Sequence, residues 1–424
     1  MASVRTMPCG DAPMRAWRRA RWANDKVTKP CSESVPSFAP SPIAVRSRHR
    51  CRSLLLALGL AIGGLPSSPR PAAACTRVLY TSPDGTVITG RSMDWSEDMR
   101  SNLWAFPRGI ARDGGGGGRT PRWRSRFGSV VVSGYDIGSA EGMNEKGLVA
   151  NLLYLAESDY GQPDGKPVLS ISLWAQYVLD QFATVSEAVA HLRHEPFRVV
   201  APTLPNGKGA QLHLAISDAT GDSAIFEYVG GRLVIHHGRQ YTVMTNSPSF
   251  DQQLALNSYW QTVGGSSFMP GTIRAADRFV RASFLLASLP RQADPAFISA
   301  VPGRSFPLQA LAGVLGVVRG VSVPLGISTP GAPNLSSTIW RVVNDQKRRV
   351  LYFDAVTSPS LFWVSLDQLN LTAGAPVRRL ALTGGRIYGG ETAPEFGPSP
   401  SFAFAPATGL PTGPQPNTKP TKRR

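Results

Sequence analysis

From Cys75 onward the chain is written mainly in short runs of alternating apolar and polar residues, interrupted by four runs with helical spacing. Thr76 to Thr81 and Thr86 to Trp95 read as strands joined by the turn Ser82-Pro83-Asp84-Gly85, so this part opens with a hairpin led by Cys75. Leu103 to Phe106 and Gly128 to Gly134 are strand-like and flank a glycine run, Gly114 to Gly118. That run reads as a flexible hairpin tip, because no Lys-Ser/Thr follows it as a phosphate-binding loop requires. Between Pro167 and Phe182, Leu169, Leu173 and Tyr177 alternate with Ile171, Trp174, Val178 and Phe182 in a broad helical stripe, and a helix is predicted there. The capping-box pattern Thr184-x-x-Glu187 starts a second helix that runs toward Arg193. Gln211 to Ser217 alternates with Leu212, Leu214 and Ile216 inward. Ser223 to Val229, Arg232 to His237 and Tyr241 to Asn246 follow after short turns, as in an antiparallel meander. Thr272 to Leu289 and Leu308 to Val318 return to helix, and Thr338 to Val343, Val350 to Ala355 and Leu361 to Leu366 close the pattern as strands. Blocks of strands and blocks of helices give an α+β fold with antiparallel sheets.

Before Cys75 the pattern is of another kind. A basic stretch (Arg46, Arg48, Arg50, Arg52), an apolar core from Leu54 to Leu65 and the small-residue end Ala72-Ala73-Ala74 read as an export signal cleaved after Ala74. The core is too short and too glycine-rich to span a bilayer, which needs about 20 apolar residues, so no membrane span is expected. Export to the periplasm or beyond follows from this reading. Residues 1–74 are then a leader and signal peptide, 75–385 the folded domain, and 386–424 a Pro/Gly-rich tail. The tail's composition buries little apolar surface, so disorder is expected there, with Phe402 and Phe404 as docking points.

Charge changes the picture less than its total suggests. The formal +17 includes 12 Lys/Arg against 3 Asp/Glu ahead of Cys75, and four more basic residues sit at Lys419, Lys422, Arg423 and Arg424. The body is therefore close to +4, with no basic stripe interleaved with aromatics, and nucleic-acid binding is not expected. Cysteine usage matters more. Cys9, Cys31 and Cys51 all precede the cleavage point, so the mature chain keeps Cys75 alone and has no partner for an internal disulfide. A lone thiol in an oxidising compartment is a liability unless it has a use. At a new N-terminus, that use is as a nucleophile whose own α-amine, with an ordinary pKa of about 7.7 to 8.0, takes the thiol proton.

Polar residues in unusual places are the other candidates. Arg91 and Asp94 lie on the strand antiparallel to the one led by Cys75, where Arg91 would hold the thiolate and Asp94 the ammonium; the plainer alternative is a surface ion pair. Asn246 ends a strand at Thr245-Asn246-Ser247-Pro248, as a turn former or as an oxyanion donor. Arg278 has Arg274 and Ala282 four residues to either side and so lacks a helical ion-pair partner, whereas Asp277 has Arg281. The histidines show no HExxH spacing, and there is no GxSxG elbow, Walker loop or GxGxxG before a helix.

Six segments in order complete the sequence reading: Cys75-Thr76-Arg77, Gly90-Arg91-Ser92-Met93-Asp94-Trp95, Gly142 to Leu148, Met244 to Pro248, Arg274 to Phe279 and Ser337 to Arg341. Together they resemble the choloylglycine hydrolase family, N-terminal-nucleophile hydrolases that include penicillin V acylases and bile salt hydrolases, from Cys75 to about Leu369. The resemblance implies a four-layer αββα fold with two stacked antiparallel sheets, hydrolysis of a small-molecule acyl amide at a non-peptide linear bond, and no cofactor. It assigns Cys75 as nucleophile, Arg91 and Asp94 as its support, Asn246 as an oxyanion donor and Arg278 as completing the charged site. A second oxyanion donor falls on the backbone N–H of Tyr154, where bile salt hydrolases typically have Asn. That departure, with Trp95 and the export signal, places the sequence nearer the periplasmic penicillin V acylases of Gram-negative bacteria, some of which also cleave N-acyl homoserine lactones. Trp95, Tyr154 and Trp104 are candidate linings of an apolar acyl pocket, with core packing as the alternative for each. Relatives are commonly tetramers, so a homotetramer is implied, although no feature of this sequence displays the interface. Two rival functions remain, a bile salt hydrolase and a non-catalytic lipoprotein acylated at Cys75.

Overall fold

The computed structural model describes residues 75–207, 209–264, 268–327 and 336–407. The leader and signal readings at 1–74 and the last part of the tail, 408–424, lie outside the described residues.

The opening hairpin is present. β1 (Thr76–Thr81) and β2 (Val87–Trp95) pair antiparallel, with Arg77 opposite Arg91 and Thr76 opposite Ser92. Asp84 closes the turn by accepting from the Thr86 N–H at 3.0 Å, and Gly85 takes a φ of 85° that a side chain would disfavour. These two strands sit in a seven-stranded sheet, in the order Val243–Met244, β1, β2, Ser337–Asp345, Val350–Ala355, Phe362–Ser365 and Gly390–Glu391. A nine-stranded antiparallel sheet is stacked on it, in the order Arg232–His237, Ser223–Val229, Leu212–Ser217, Val149–Tyr154, Gly138–Asn144, Ser129–Gly134, Leu103–Phe106, Arg378–Leu380 and Gly397–Pro398.

Helices cover both outer faces. α1 (Trp174–Gln181) and α2 (Val185–Leu192) pack on the nine-stranded sheet, in a core that includes Trp174, Val178, Leu214 and Phe226. α3 (Phe250–Val263), α4 (Ala275–Ala287) and α5 (Phe306–Gly320) belong to the side of the seven-stranded sheet. α5 comes so close to β2 that a Cβ on Gly90 would meet Val314 at 2.8 Å and Val318 at 2.9 Å, so glycine there lets the helix seat against the strand that carries Arg91. Two sheets between two helix layers make the α+β, four-layer αββα arrangement. No helix among the described residues is long and apolar enough to cross a membrane.

Several expectations are corrected. Pro167 to Phe182 is not one helix, because Val168–Ser170 pairs in parallel with Arg198–Val200 and only then does the chain turn through Ile171–Leu173 into α1. Sheet pairing there outweighs a helical stripe that either conformation can bury. α2 follows the capping box: Thr184 accepts from the Glu187 N–H at 3.2 Å and Glu187 accepts from the Ala183 N–H at 2.9 Å. α3 gave no clear pattern because it buries only Phe250 and Gln253 while Leu256, Tyr259 and Val263 face outward. The tail expected to be disordered from 386 is ordered as far as 407: Gly390–Glu391 adds a strand to one sheet and Gly397–Pro398 to the other. Phe402 and Phe404 dock as expected, against Trp104 and Phe106.

Candidate active site

Cys75 heads β1 and is buried, with 2% of its surface exposed. The β1–β2 register carries the strand past Ser92, so Cys75 Sγ lies 3.8 Å from Met93 Sδ and 3.7 Å from the Asp94 carbonyl oxygen. Burial pushes the thiol above its ordinary value, while the charges of Arg91 and Arg278 pull it back toward the thiolate. Arg91 Nη2 is 3.9 Å from Sγ and donates to the Leu152 carbonyl at 2.9 Å.

The alternative of a surface ion pair between Arg91 and Asp94 is overturned, since both are fully buried and each has a different partner. Arg91 Nη1 meets Glu141 at 3.2 Å, across the space between the sheets. Asp94 accepts from Thr338 Oγ1 at 2.5 Å and faces Arg278 at 3.6 Å. A bulge between Thr338 and Trp340 sets Thr338 directly opposite Asp94. Burial raises Asp94 to about 6, against the opposing pull of Arg278 and of the Thr338 hydroxyl. Burial likewise raises Glu141 to about 7.

Arg278 is fully buried and leaves the α4 surface toward Cys75. Its guanidinium donates to the Cys75 carbonyl at 2.7 Å, to Thr76 Oγ1, and to Asn246 Oδ1 at 3.0 Å. Asn246 Oδ1 also accepts a short hydrogen bond from the Cys75 nitrogen. Two donors on one side of the amide fix its orientation, so Nδ2 points the other way and donates to the Tyr154 carbonyl at 2.7 Å. Leu155 N–H bonds to Gln211 at 3.0 Å, so the alternation of an antiparallel pair turns the Tyr154 peptide groups away from that neighbour and toward Asn246. In the chain as translated, the Cys75 nitrogen is a peptide nitrogen; it stands in for the α-amine that cleavage after Ala74 would release.

Cys75, Met93, Trp95, Leu152 and Tyr154 line an apolar cavity of about 80 Å³. Trp95 donates through Nε1 to the Tyr135 hydroxyl at 2.6 Å and stands edge-on to Tyr154, with ring centroids 6.2 Å apart. Trp104 does not belong to this cavity. In Leu103–Phe106, Leu103 and Ala105 face the core between the sheets while Trp104 and Phe106 face the helix side, where Trp104 Nε1 donates to Asp136 at 2.9 Å. A larger cleft of about 570 Å³ also touches Trp95 but is not lined by Cys75.

Three supporting residues were not read from the sequence. Glu141 supplies the counter-charge for Arg91, and a buried arginine on a strand is itself a signal that a buried acid must face it. Thr338 orients Asp94. Gln253, on the unread α3, accepts from Thr245 and donates to the Asn246 and Pro248 carbonyls, holding the loop that carries the amide. Among the described residues no group of three His, Cys, Asp or Glu side chains is placed to hold a metal ion.

Residues 75–379 match the model of the linear amide C–N hydrolases, choloylglycine hydrolase family. A penicillin V acylase of Pectobacterium atrosepticum is 44% identical over 377 residues, covering 85% of this chain and 99% of that protein. The structure of penicillin V acylase from Agrobacterium tumefaciens superposes with a TM-score of 0.70 at 48% identity, over 78% of this chain and 99% of that one. A bile salt hydrolase/transferase of Bifidobacterium longum is more distant, 25% identical over 52% of this chain and 77% of its own length. The fold alone is shared with a conjugated bile acid hydrolase from Clostridium perfringens, at a TM-score of 0.60 and 21% identity over 75% of this chain and 98% of that one. On the span of the family match and the near-complete cover of these relatives, the chain belongs to the choloylglycine hydrolase family of linear amide C–N hydrolases.

Proposed function

We propose that this enzyme is an exported acylase of the penicillin V type, with Cys75 as an N-terminal nucleophile. The reading rests above all on one observation: the Cys75 sulfur faces an apolar cavity while its main-chain nitrogen and oxygen are held from the other side by Asn246 and Arg278. Removal of residues 1–74 frees the amine that the chemistry needs, which is why export and activity belong together in this proposal.

The α-amine takes the Cys75 thiol proton and the thiolate, held by Arg91, attacks the acyl carbonyl carbon. The oxyanion that forms is met by the remaining Asn246 Nδ2 hydrogen and the Tyr154 backbone N–H. The C–N bond then breaks as the ammonium returns its proton to the leaving amine, leaving a thioester. Water, deprotonated by the amine, attacks the thioester and releases the carboxylic acid and the thiol. Asp94 and Arg278 hold the amine and the Asn246 amide in line throughout.

A narrow cavity bounded by Trp95, Tyr154 and Met93 suits a slender aryl or alkyl acyl group better than a fused steroid nucleus, which favours penicillin V or N-acyl homoserine lactones over conjugated bile acids. Parallel rates on penicillin V, a long-chain N-acyl homoserine lactone and glycocholate test the reading. Turnover of either of the first two ahead of glycocholate is expected; glycocholate as the preferred substrate overturns it. Absence of turnover on all three, with lipid found on Cys75 by intact mass, would instead favour the lipoprotein.

A further inference from the structure

We propose that residues 399–407 form a strap that closes the acyl end of the Cys75 cavity and sets the length of acyl chain the enzyme accepts. The proposal rests on the amidase reading above. It concerns a part of the chain beyond residue 379, where the family match ends.

The strap has no helix or strand of its own after Pro398, yet it is fixed at several points. The Phe402 ring stands edge-on to Trp104, with centroids 4.8 Å apart, and the Phe404 ring lies 5.1 Å from the Arg112 guanidinium carbon. Beyond these anchors the backbone of Ala405 is bound on both sides. Its carbonyl accepts from Ser170 Oγ at 2.6 Å and from Ser172 Oγ at 2.7 Å, and its N–H donates to the Ile137 carbonyl at 2.8 Å. Ala407 N–H donates to Gly115 at 2.8 Å, so the glycine run read as a flexible tip is an anchor for the strap.

Ala405 is 3% exposed and lines the same cavity as Cys75. Two hydroxyls on one carbonyl hold this wall in place without any sheet or helix to do so, and a wall built from a separate segment can change while the catalytic strands do not. In a cavity this narrow, the end of a bound acyl chain meets whatever residue stands at 405. Adding or removing a methylene in such a fit changes kcat/KM by about 10- to 200-fold.

The test uses the processed enzyme and linear N-acyl 4-nitroanilides from butanoyl to dodecanoyl, with kcat/KM measured for the parent chain, for Ala405→Leu, and for a chain ending at Pro398. Ala405→Leu is expected to lower the ratio of long-chain to short-chain kcat/KM by about tenfold or more, and the shortened chain to raise it. An unchanged ratio in Ala405→Leu, with its thermal unfolding midpoint retained, overturns the strap as a determinant of chain length. Should the shortened chain fail to fold, Ala405→Leu decides alone, supported by the Ser170→Ala/Ser172→Ala double variant, which is expected to raise the ratio by loosening the clamp. A parent enzyme that hydrolyses no member of the series refutes the amidase reading itself, an outcome distinct from hydrolysis with an unchanged ratio.

Discussion

The two sheets contribute different things to one site. The seven-stranded sheet, with α4 packed on it, supplies Cys75, Arg91, Asp94, Thr338 and Arg278, and the strand at its edge leads into Asn246. The nine-stranded sheet and the segments around it supply Ala140, Leu152, Tyr154 and Leu212, and the strap adds Ala405. The buried charges and the proposed nucleophile come mainly from one sheet and much of the cavity wall from the other. The division is crossed both ways: Met93 and Trp95 of β2 also line the cavity, and Glu141 and the Tyr154 main chain reach back from the second sheet to hold Arg91 and Asn246. The division predicts that substitutions in the wall from the second sheet change substrate preference more than they change the chemistry.

The largest effect that would test this division lies on the catalytic sheet. Cys75→Ala is expected to abolish turnover while the thermal unfolding midpoint stays close to that of the parent; residual turnover near the parental rate would remove Cys75 from its role. Next, Asn246→Ala should lower kcat by about 10² to 10³ with little change in KM, the usual cost of losing one oxyanion donor. A rise in KM alone would make Asn246 a binding group.

Glu141 is a smaller and sharper probe. Its folded-state carboxyl is raised to about 7 by burial, so the stability tied to its proton is complete below the ordinary value near 4.5 and is lost as pH rises through 7. Glu141→Gln keeps the protonated shape at every pH, and thermal midpoints measured from pH 4 to 8 should therefore vary less than in the parent. If the two profiles coincide, Glu141 does not titrate in that range. The smallest effect on catalysis is expected from Trp104→Ala, which should cost about 3 to 5 kcal/mol of stability and leave KM for a short-chain acyl substrate, which does not reach the strap, unchanged, as measured by denaturant unfolding beside steady-state rates.

How much of this was legible in the sequence follows the same division. Arg278 was conspicuous because α4 offers it no partner at helical spacing, and Cys75 because of what precedes it; both are residues that break the local pattern. The hairpin β1–β2 and the capping box at Thr184 were legible because each is closed by contacts within a few residues. Trp104 was placed on the wrong wall since its strand is buried on both faces, and periodicity gives the phase of a strand without saying which face meets the site. Glu141 was hidden one residue ahead of the segment that begins at Gly142, as its partner Arg91 is 50 residues away. The tail was misread because composition reports how much apolar surface a segment holds, whereas the hydrogen bonds of Ala405 and Ala407 and two phenylalanines seat this one.

The hydrogen bond from the Cys75 nitrogen to Asn246 has a consequence for how the enzyme comes to life. That contact is made while the nitrogen is still a peptide nitrogen, with Arg278 already holding the Cys75 carbonyl and facing Asp94. Cutting the bond before Cys75, as proposed above, would give a nitrogen that Asn246 already holds a basic lone pair. On that proposal the leader would act as a chemical safety catch, withholding the base from a thiol already in place.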